Sequence, residues 1–190
     1  MVEHAIETPR LILRSWRPED SEPFASMNAD PEVMAHFRSV LTAEQSVELL
    51  GRIEQHERDR GFTFWAVARK DTGEFAGFTG LAPVNFEAPF APAVEIGWRF
   101  ARRQWGHGFA TEAARAALED IFERHGLEQV VAFTIPANVR SLRVMEKLGM
   151  MRDPADDFDH PRLPEGHPFR RHVLYRISAR SFRERAASTH

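Results

Sequence analysis

Two glycines, Gly106 and Gly108, stand directly before an alanine-rich pattern over 108–125 that predicts a helix. The first turn of a helix leaves backbone N–H groups unpaired and carries the positive end of the helix dipole. Glycines at that point allow an anion to approach those donors closely, and Arg103 and His107 add positive charge or donors nearby. The spacing therefore predicts a phosphate-type anion site, with a pyrophosphate as the natural ligand.

Two common phosphate loops can be tested against these residues. A P-loop ends in Gly-Lys-Ser or Gly-Lys-Thr, whereas Phe109 and Ala110 follow Gly108 here, which excludes it. A dinucleotide fingerprint requires Gly or Ala at its third position, and that position is Thr111. An NAD(P) site is therefore a weak alternative.

A third pattern fits better because it extends over several motifs. Arg103, Gly106 and Gly108 follow "VEIGWRF" (94–100) and precede "NVRSLRVMEKLGM" (138–150). This order of motifs resembles the GNAT superfamily of acetyl-CoA-dependent N-acetyltransferases. Within it the chain is similar to the RimJ/RimL-like branch of ribosomal-protein N-terminal acetyltransferases, which typically opens with "TPRLILR". The resemblance spans about residues 8–178.

The resemblance implies a fold and a set of residues that hold the donor. The fold is α/β (α+β): a mixed, mostly antiparallel central sheet, splayed between two neighbouring strands and flanked by helices. Acetyl-CoA (CoA) is the implied cosubstrate, with its pyrophosphate on the glycine loop and its pantetheine arm along strand 93–100. The implied cofactor-binding residues are Trp98, Arg99, Phe100, Arg103, Gly106, His107, Gly108, Phe109, Ala110, Thr111, Asn138 and Ser141.

Catalytic residues are harder to assign. Members of the family often place a glutamate on the strand before the loop, so Glu95 is either the general base or an ordinary solvent-facing strand residue. Gly97 is compatible with a bulge that would separate this strand from its neighbour. The tyrosine that many members use as an acid is replaced by Met145, which leaves Ser141 as a weak proton donor.

The segment 153–169 has neither helical nor strand periodicity and reads as a long loop. In the resembled family this region lies near the acceptor entrance, so His160, Glu165 and His167 are candidate substrate-binding residues. A metal site from His160, His167 and His172 fits no known ligand spacing, and we expect no metal.

The remaining elements follow from periodicity. Strands are predicted at 9–16, 61–84 (a hairpin), 93–100, 128–135 and 170–178, and helices at 42–60, 108–125 and 138–149, with further helix starts at Pro18 and Asp30. The buried face of helix 42–60 is predicted to contain Val47, Leu50 and Ile53. The C-terminal "ARSFRERAASTH" reads as a flexible tail.

The composition of the 190 residues predicts one domain (1–190, core about 8–178). A net charge of −3 argues against nucleic-acid binding, and the absence of cysteine and of a long apolar run favours a cytoplasmic protein that does not enter membranes. The apolar connector 86–92 suggests a homodimer interface. The predicted function is direct acetyl transfer from acetyl-CoA to a primary amine, such as a protein N-terminus or a small molecule, in a ternary complex. The alternative is a non-catalytic CoA-binding or sensor module.

Overall fold

The computed structural model describes residues 5–188, in which a nine-stranded sheet is flanked by helices. The strands are β1 (Ile6–Glu7), β2 (Leu11–Arg14), β3 (Phe64–Arg69), β4 (Phe75–Pro83), β5 (Val94–Phe100), β6 (Gln129–Thr134), β7 (Met151–Arg152), β8 (Phe158–Asp159) and β9 (Arg171–Ser178). The helices are α1 (Ser21–Ala29), α2 (Ala43–Arg60), α3 (Phe109–Arg124), α4 (Val139–Leu148) and α5 (Ala179–Ala187). The strand order is β1-β2-β3-β4-β5-β6-β9-β7, and β8 also pairs with β9.

The sheet opens at its centre, between β5 and β6. These two strands form the single parallel pair of the described sheet, and they share one register position, Glu95 opposite Val131. All other pairs are antiparallel. The predicted mixed, mostly antiparallel sheet is confirmed, and the α3 crossover connects its parallel pair.

One face of the sheet carries α3, α4 and α5. Strand residues that alternate along β5 and β6, including Ile96, Phe100 and Val130, pack there against Ala114 and Leu118 of α3. Such alternation is expected because successive strand side chains point to opposite faces. This packing holds the beginning of α3 next to the end of β5.

The opposite face is covered in two parts. Helices α1 and α2 contribute Phe24 and Leu50 to a cluster around Phe78. Beyond β5, residues 84–93 and β8 cover the other half, where Phe86 packs near Phe133. The apolar residues that suggested a dimer interface are thus used, at least in part, within the chain. Glu95 alternates with Ile96 and therefore lies on this second face.

Gly97 does not form the predicted bulge. Every position of β5 from Val94 to Phe100 pairs in continuous register with β4, and the irregularity of the neighbouring strands lies between Val67 and Ala68. A Cβ at Gly97 would approach the Phe64 ring to 3.2 Å. Close packing, and not a bulge, is the local reason for glycine at this position.

Two helical predictions need correction and one is confirmed. Asp30 caps only turns, accepting from the N–H groups of Glu32 at 2.8 Å and Val33 at 3.4 Å, and no helix follows. Val47 is 64% exposed and does not belong to the buried face of α2. That face consists of Ser46, Leu50 and Ile53, which are spaced by four and three residues. The predicted Thr42 capping box of α2 is confirmed.

The supposed tail is helical over α5. Ser178 caps this helix by accepting from the N–H of Ser181, and Ala179 and Phe182 are buried. The Phe182 ring lies 5.5 Å from that of Phe122 on α3. Across residues 5–188, the helices are all too short or too polar to cross a lipid bilayer.

Candidate active site

A cavity of about 280 Å³ lies where the end of β5, the glycine loop and the beginning of α4 meet. Residues 32–37, the turns after α1, close its fourth side. Its lining residues are Glu32, Val33, His36, Phe37, Trp98, Arg99, Phe100, Gln104, Trp105, Gly106, Gly108, Phe109, Ala110, Asn138, Arg140, Ser141, Arg143, Val144 and Lys147. The three motifs singled out in the sequence therefore converge on one space.

The two glycines of the loop adopt a left-handed backbone conformation, which glycine accepts more readily than other residues. Gly106 and Gly108 adopt left-handed φ angles of 80° and 79°, and Gly108 is the N-cap of α3 without any side-chain cap. A Cβ at Gly106 would have no neighbour within 4 Å. Backbone conformation, and not crowding, selects glycine there, and the uncapped N–H groups of the first turn are left for a ligand.

The beginning of α3 is held by residues that lie about 100 positions earlier in the sequence. Thr8 Oγ1 donates to Glu112 Oε1 at 2.6 Å, and Arg10 Nε donates to Glu112 Oε2 at 2.7 Å. Arg10 Nη1 also donates to the carbonyl of His107 at 2.9 Å. Partial burial of Glu112 favours a higher pKa, but the hydrogen bonds from Thr8 and Arg10 outweigh it, and the pKa is lowered. An ionised carboxylate therefore fixes the loop.

Most of the predicted cofactor residues line the cavity, and three do not. Arg103 lies instead at a separate, open depression beside α1. His107 is exposed, with its ring 5.5 Å from that of Phe109, and Thr111 is half-buried in the first turn of α3 outside the lining. Arg103 thus contributes positive charge near the loop, and His107 a polar ring, without lining this cavity.

Three cations of α4 were not singled out in the sequence. Arg140, Arg143 and Lys147 all line the cavity. Their spacing of three and four residues places them on one face of a helix, and this pattern is a signal that could have been used. Arg140 also lies 4.2 Å from the centre of the Trp105 ring.

The beginning of α4 is built around Asn138. Its Oδ1 accepts from the N–H of Ser141 at 3.3 Å, and its Nδ2 donates to Thr134 Oγ1 at 3.0 Å. Ser141 lines the cavity beside it. Met145 is only 1% exposed and belongs to the core, so the position of the family's acid is filled by packing in this chain.

Glu95 lies at the register position where β5 and β6 last pair. Burial raises the pKa of its carboxyl to about 7, and the positive charge of Arg162 opposes that rise. Glu95 is half-buried, so its carboxyl is less hydrated than that of an ordinary solvent-facing strand residue. A carboxyl with this pKa exchanges a proton at neutral pH.

The long loop does not bring its predicted residues to the cavity. His160 packs against Phe86, 4.5 Å between ring centres, and its Nδ1 accepts from the N–H of Arg162 at 3.3 Å. Burial is the main reason that the pKa of His160 is lowered. Glu165 is exposed, and His167 Nδ1 accepts a local backbone hydrogen bond from the N–H of Phe169 at 3.1 Å.

Arg162 is the residue of this loop that the sequence analysis missed. Its Nη2 donates to the carbonyl of Asn85 at 2.6 Å, which ties the loop to the connector after β4 and brings positive charge towards Glu95. A single arginine in an aperiodic loop carries no pattern that would reveal this role. Within residues 5–188 no group of three or more acidic or histidine side chains is arranged to hold a metal ion.

Comparison with known proteins agrees with this geometry. Residues 10–151 match the family described as "Acetyltransferase (GNAT) domain". The chain belongs to the GNAT family. It is 36% identical to YkkB of Bacillus subtilis over 144 residues, covering 75% of this chain and 83% of that protein. It is 27% identical to the N-acetyltransferase YnaD of B. subtilis over 173 residues, covering 90% and 95%.

Solved structures of GNAT proteins have the same fold. An acetyltransferase from Bacillus anthracis superposes with a TM-score of 0.77 at 26% identity, covering 92% of this chain and 98% of the other. RimJ of Mycobacterium smegmatis in complex with CoA-disulfide gives 0.73 at 18% identity, covering 98% and 94%. This GNAT protein is thus an N-acetyltransferase, and the cosubstrate of its family is acetyl-CoA. The glycine-loop cavity is the candidate site for that cosubstrate.

Proposed function

We propose that this GNAT protein transfers an acetyl group from acetyl-CoA directly to a primary amine within a ternary complex. The observation that carries the proposal is the cavity in which the glycine loop, the end of β5 and the beginning of α4 meet. The protein acts as one domain of the RimJ/RimL-like type in the cytoplasm. Support for that branch comes from the motifs of the sequence and from the RimJ fold.

The cavity would hold two parts of the donor, its pyrophosphate and its pantetheine arm. The pyrophosphate meets the N–H groups at the first turn of α3, and the α4 cations described above supply further positive charge. The pantetheine arm lies along Trp98, Arg99 and Phe100, with Asn138 and Ser141 on its other side. Arg103 and His107 act from outside the cavity through their charge or backbone.

Transfer then requires an unprotonated amine. The amine nitrogen attacks the thioester carbonyl carbon, the C–S bond breaks, and the nitrogen loses a proton. Glu95 is proposed to take this proton, directly or through a water molecule, because burial raises the pKa of its carboxyl to about 7. An α-amine with a pKa near 8 needs less help than a lysine amine with a pKa near 10.4.

The leaving thiolate needs little acid assistance. A simple thiol has a pKa of about 8.5, so its anion is a moderate leaving group at neutral pH. Ser141, which lines the cavity, can donate a hydrogen bond to the departing sulfur. His160, Glu165 and His167 are proposed only as outer contacts of the acceptor, because they lie outside the cavity lining.

The donor site is tested by thermal unfolding. Acetyl-CoA at 100 times its Kd should stabilise the wild-type protein by about 2.7 kcal/mol. Gly108→Trp should abolish this effect, because the indole fills the space before α3 and strains a left-handed φ of 79°. Gly51→Trp on α2 is the matched control, since an added Cβ there would have no tertiary neighbour within 4 Å.

Melting of the unliganded variants shows whether each one folds. A wild-type protein that neither acetyl-CoA nor CoA stabilises would contradict the proposal. The second candidate, a non-catalytic CoA-binding module, is favoured by the burial of Met145 where the family's acid would stand. A screen of amines that follows release of free CoA thiol separates the two, because the module binds acetyl-CoA without amine-dependent thiol release.

A further inference from the structure

His36 is an ionisable side chain of the donor cavity that the proposed acetyl transfer leaves without a role. Its side chain is half-buried and lines the cavity. Across residues 5–188, no hydrogen bond, ion pair or ring contact involves the imidazole, and neither ring nitrogen is buried. Both nitrogens are therefore accessible to a molecule that enters the cavity.

The neighbours of His36 hold it in place. Val33 and Met34 are buried under the turns that follow α1. The N–H of Phe37 donates to the carbonyl of Met34 at 2.9 Å, and the Phe37 ring centre lies 4.2 Å from the guanidinium carbon of Arg99 on β5. The backbone on both sides of His36 is thus anchored, while the imidazole itself is left for a ligand.

Few of the lining residues are suited to proton transfer at neutral pH. Glu32 pairs with Arg102 Nη1 at 2.7 Å, and the guanidinium of an arginine does not release its proton. The hydroxyl of Ser141 is too weak an acid to act alone, and Lys147 lies in the last turn of α4. Imidazole is the side chain that gains and loses a proton near neutrality. His36 is therefore the lining residue best suited to exchange a proton inside the cavity.

The position of His36 brings it to the proposed path of the donor. The pantetheine arm is proposed to pass Arg99, and Phe37, the chain neighbour of His36, packs against that guanidinium. The usual acid of the family is absent, because Met145 occupies its position and is only 1% exposed. An imidazole beside the arm is thus available where a proton donor for the sulfur is otherwise missing.

We propose that His36 is the acid of the reaction and gives a proton to the sulfur of CoA as the acetyl group leaves. This inference rests on the proposed acetyl transfer. The N–C bond forms, the C–S bond breaks, and the electron pair of the broken bond goes to sulfur. Glu95 takes the proton of the amine, and the imidazolium of His36 protonates the thiolate. Glu95 then releases its proton to water, and the neutral imidazole regains one from water.

The complex with CoA tests this contact without requiring turnover. The chain contains no cysteine, so CoA supplies the only thiol, and its thiolate can be measured by ultraviolet absorbance against the complex with desulfo-CoA. At neutral pH the wild-type complex should contain about 10-fold more thiolate than the His36→Gln complex, because an imidazolium next to the sulfur stabilises the anion.

Turnover provides a second measurement. His36→Gln should lower kcat about 10- to 100-fold and leave the Kd for acetyl-CoA nearly unchanged, since a thiolate already leaves moderately well. Free imidazole should restore part of the activity of His36→Ala. His107→Gln is the matched control, because His107 is exposed near the glycine loop but lies outside the cavity lining. It should keep the wild-type thiolate fraction and kcat.

Thermal unfolding shows whether each variant folds, and His36→Ala replaces His36→Gln in the absorbance experiment if the latter does not. Equal thiolate fractions in the wild-type and variant complexes would overturn the proposal, because the imidazole would then lie away from the sulfur. So would a His36→Gln variant with the kcat of the wild-type protein. Failure of acetyl-CoA to stabilise the wild-type protein is a separate result, and it rejects the proposed function itself.

Discussion

At the scale of single residues, the proposed chemistry depends on an ionisable side chain that the fold shields from water. Glu95 lies where two central strands part, and its pKa is raised because the carboxylate form loses hydration there. Ser141 and Met145 lie one helical turn apart on α4, yet one lines the cavity and the other fills the core. Ser141, near the beginning of the helix, can therefore contact a ligand, whereas Met145, one turn later, cannot.

The proposed role of Glu95 predicts a pH dependence. Because the base must be unprotonated, kcat/KM should rise with pH through a step near 7. Glu95→Gln should remove the step and lower kcat about 100-fold or more. The assay needs an acceptor whose amine has a pKa below 5, so that its own protonation does not contribute. A step that persists in Glu95→Gln would assign the titration to another group.

The same group affects stability with a definite sign. Since the folded pKa lies above the usual 4.5, the folded state binds more protons than the unfolded state between about pH 4.5 and 7. The contribution of Glu95 to the free energy of unfolding therefore decreases as the pH rises through that range. This unfavourable trend arises because the fold removes water from around the Glu95 carboxylate.

At the scale of elements, α3 is aimed by a contact that spans most of the sequence. Thr8 and Arg10, just before β2, hold Glu112 in the first turn of α3. The first motif and the glycine motif thus meet in space. The sequence resemblance identified both motifs, but no periodicity could reveal that one clamps the other, because the contact depends on tertiary packing.

Removing this clamp should loosen the donor site. We expect Glu112→Gln to raise the Kd for acetyl-CoA several-fold and to lower the free energy of unfolding by about 1 kcal/mol, because charge-assisted hydrogen bonds are lost. Glu184→Gln is the matched control, since Glu184 pairs with Arg180 on the exposed side of α5. Equal effects of the two substitutions on acetyl-CoA binding would show that the clamp does not position the loop.

The elements that could be predicted were those with a strong local signal. The α2 capping box, the hairpin turn at Gly73 and the cap of α4 by Asn138 all follow from short-range rules. The closely packed glycine of β5 and the helix at the C-terminus could not be predicted in the same way. Their form depends on Phe64 and Phe122, which lie far away in sequence.

At the scale of the whole molecule, the C-terminal helix joins the last strand to the core behind the donor site. Phe182 contacts Phe122 on α3, the helix whose beginning forms the glycine loop. The chain after β9 is therefore part of the packing that supports the site. Charged residues dominate this segment, and two apolar positions are enough to hold it.

Phe182→Ala should lower the free energy of unfolding by about 3 kcal/mol, as expected when a buried phenylalanine is truncated. The Kd for acetyl-CoA should change little, because the side chain lies outside the cavity. Val47→Ala, at a position 64% exposed, is the control and should be nearly neutral. A neutral Phe182→Ala would support the predicted flexible tail instead, as chemical denaturation would reveal.

The short pairing between β5 and β6 has a consequence for assembly. Unpaired N–H and C=O groups along a strand normally lie at the outer border of a sheet, where they invite association between protein chains. Here they occur in the middle of the sheet, with α3 on one face and the glycine loop at one end. An extended ligand with amide groups can pair with such groups in the way that an added strand pairs with an outer border. The protein thus keeps a pair of strand borders inside its own sheet, away from the outer edge where chains associate.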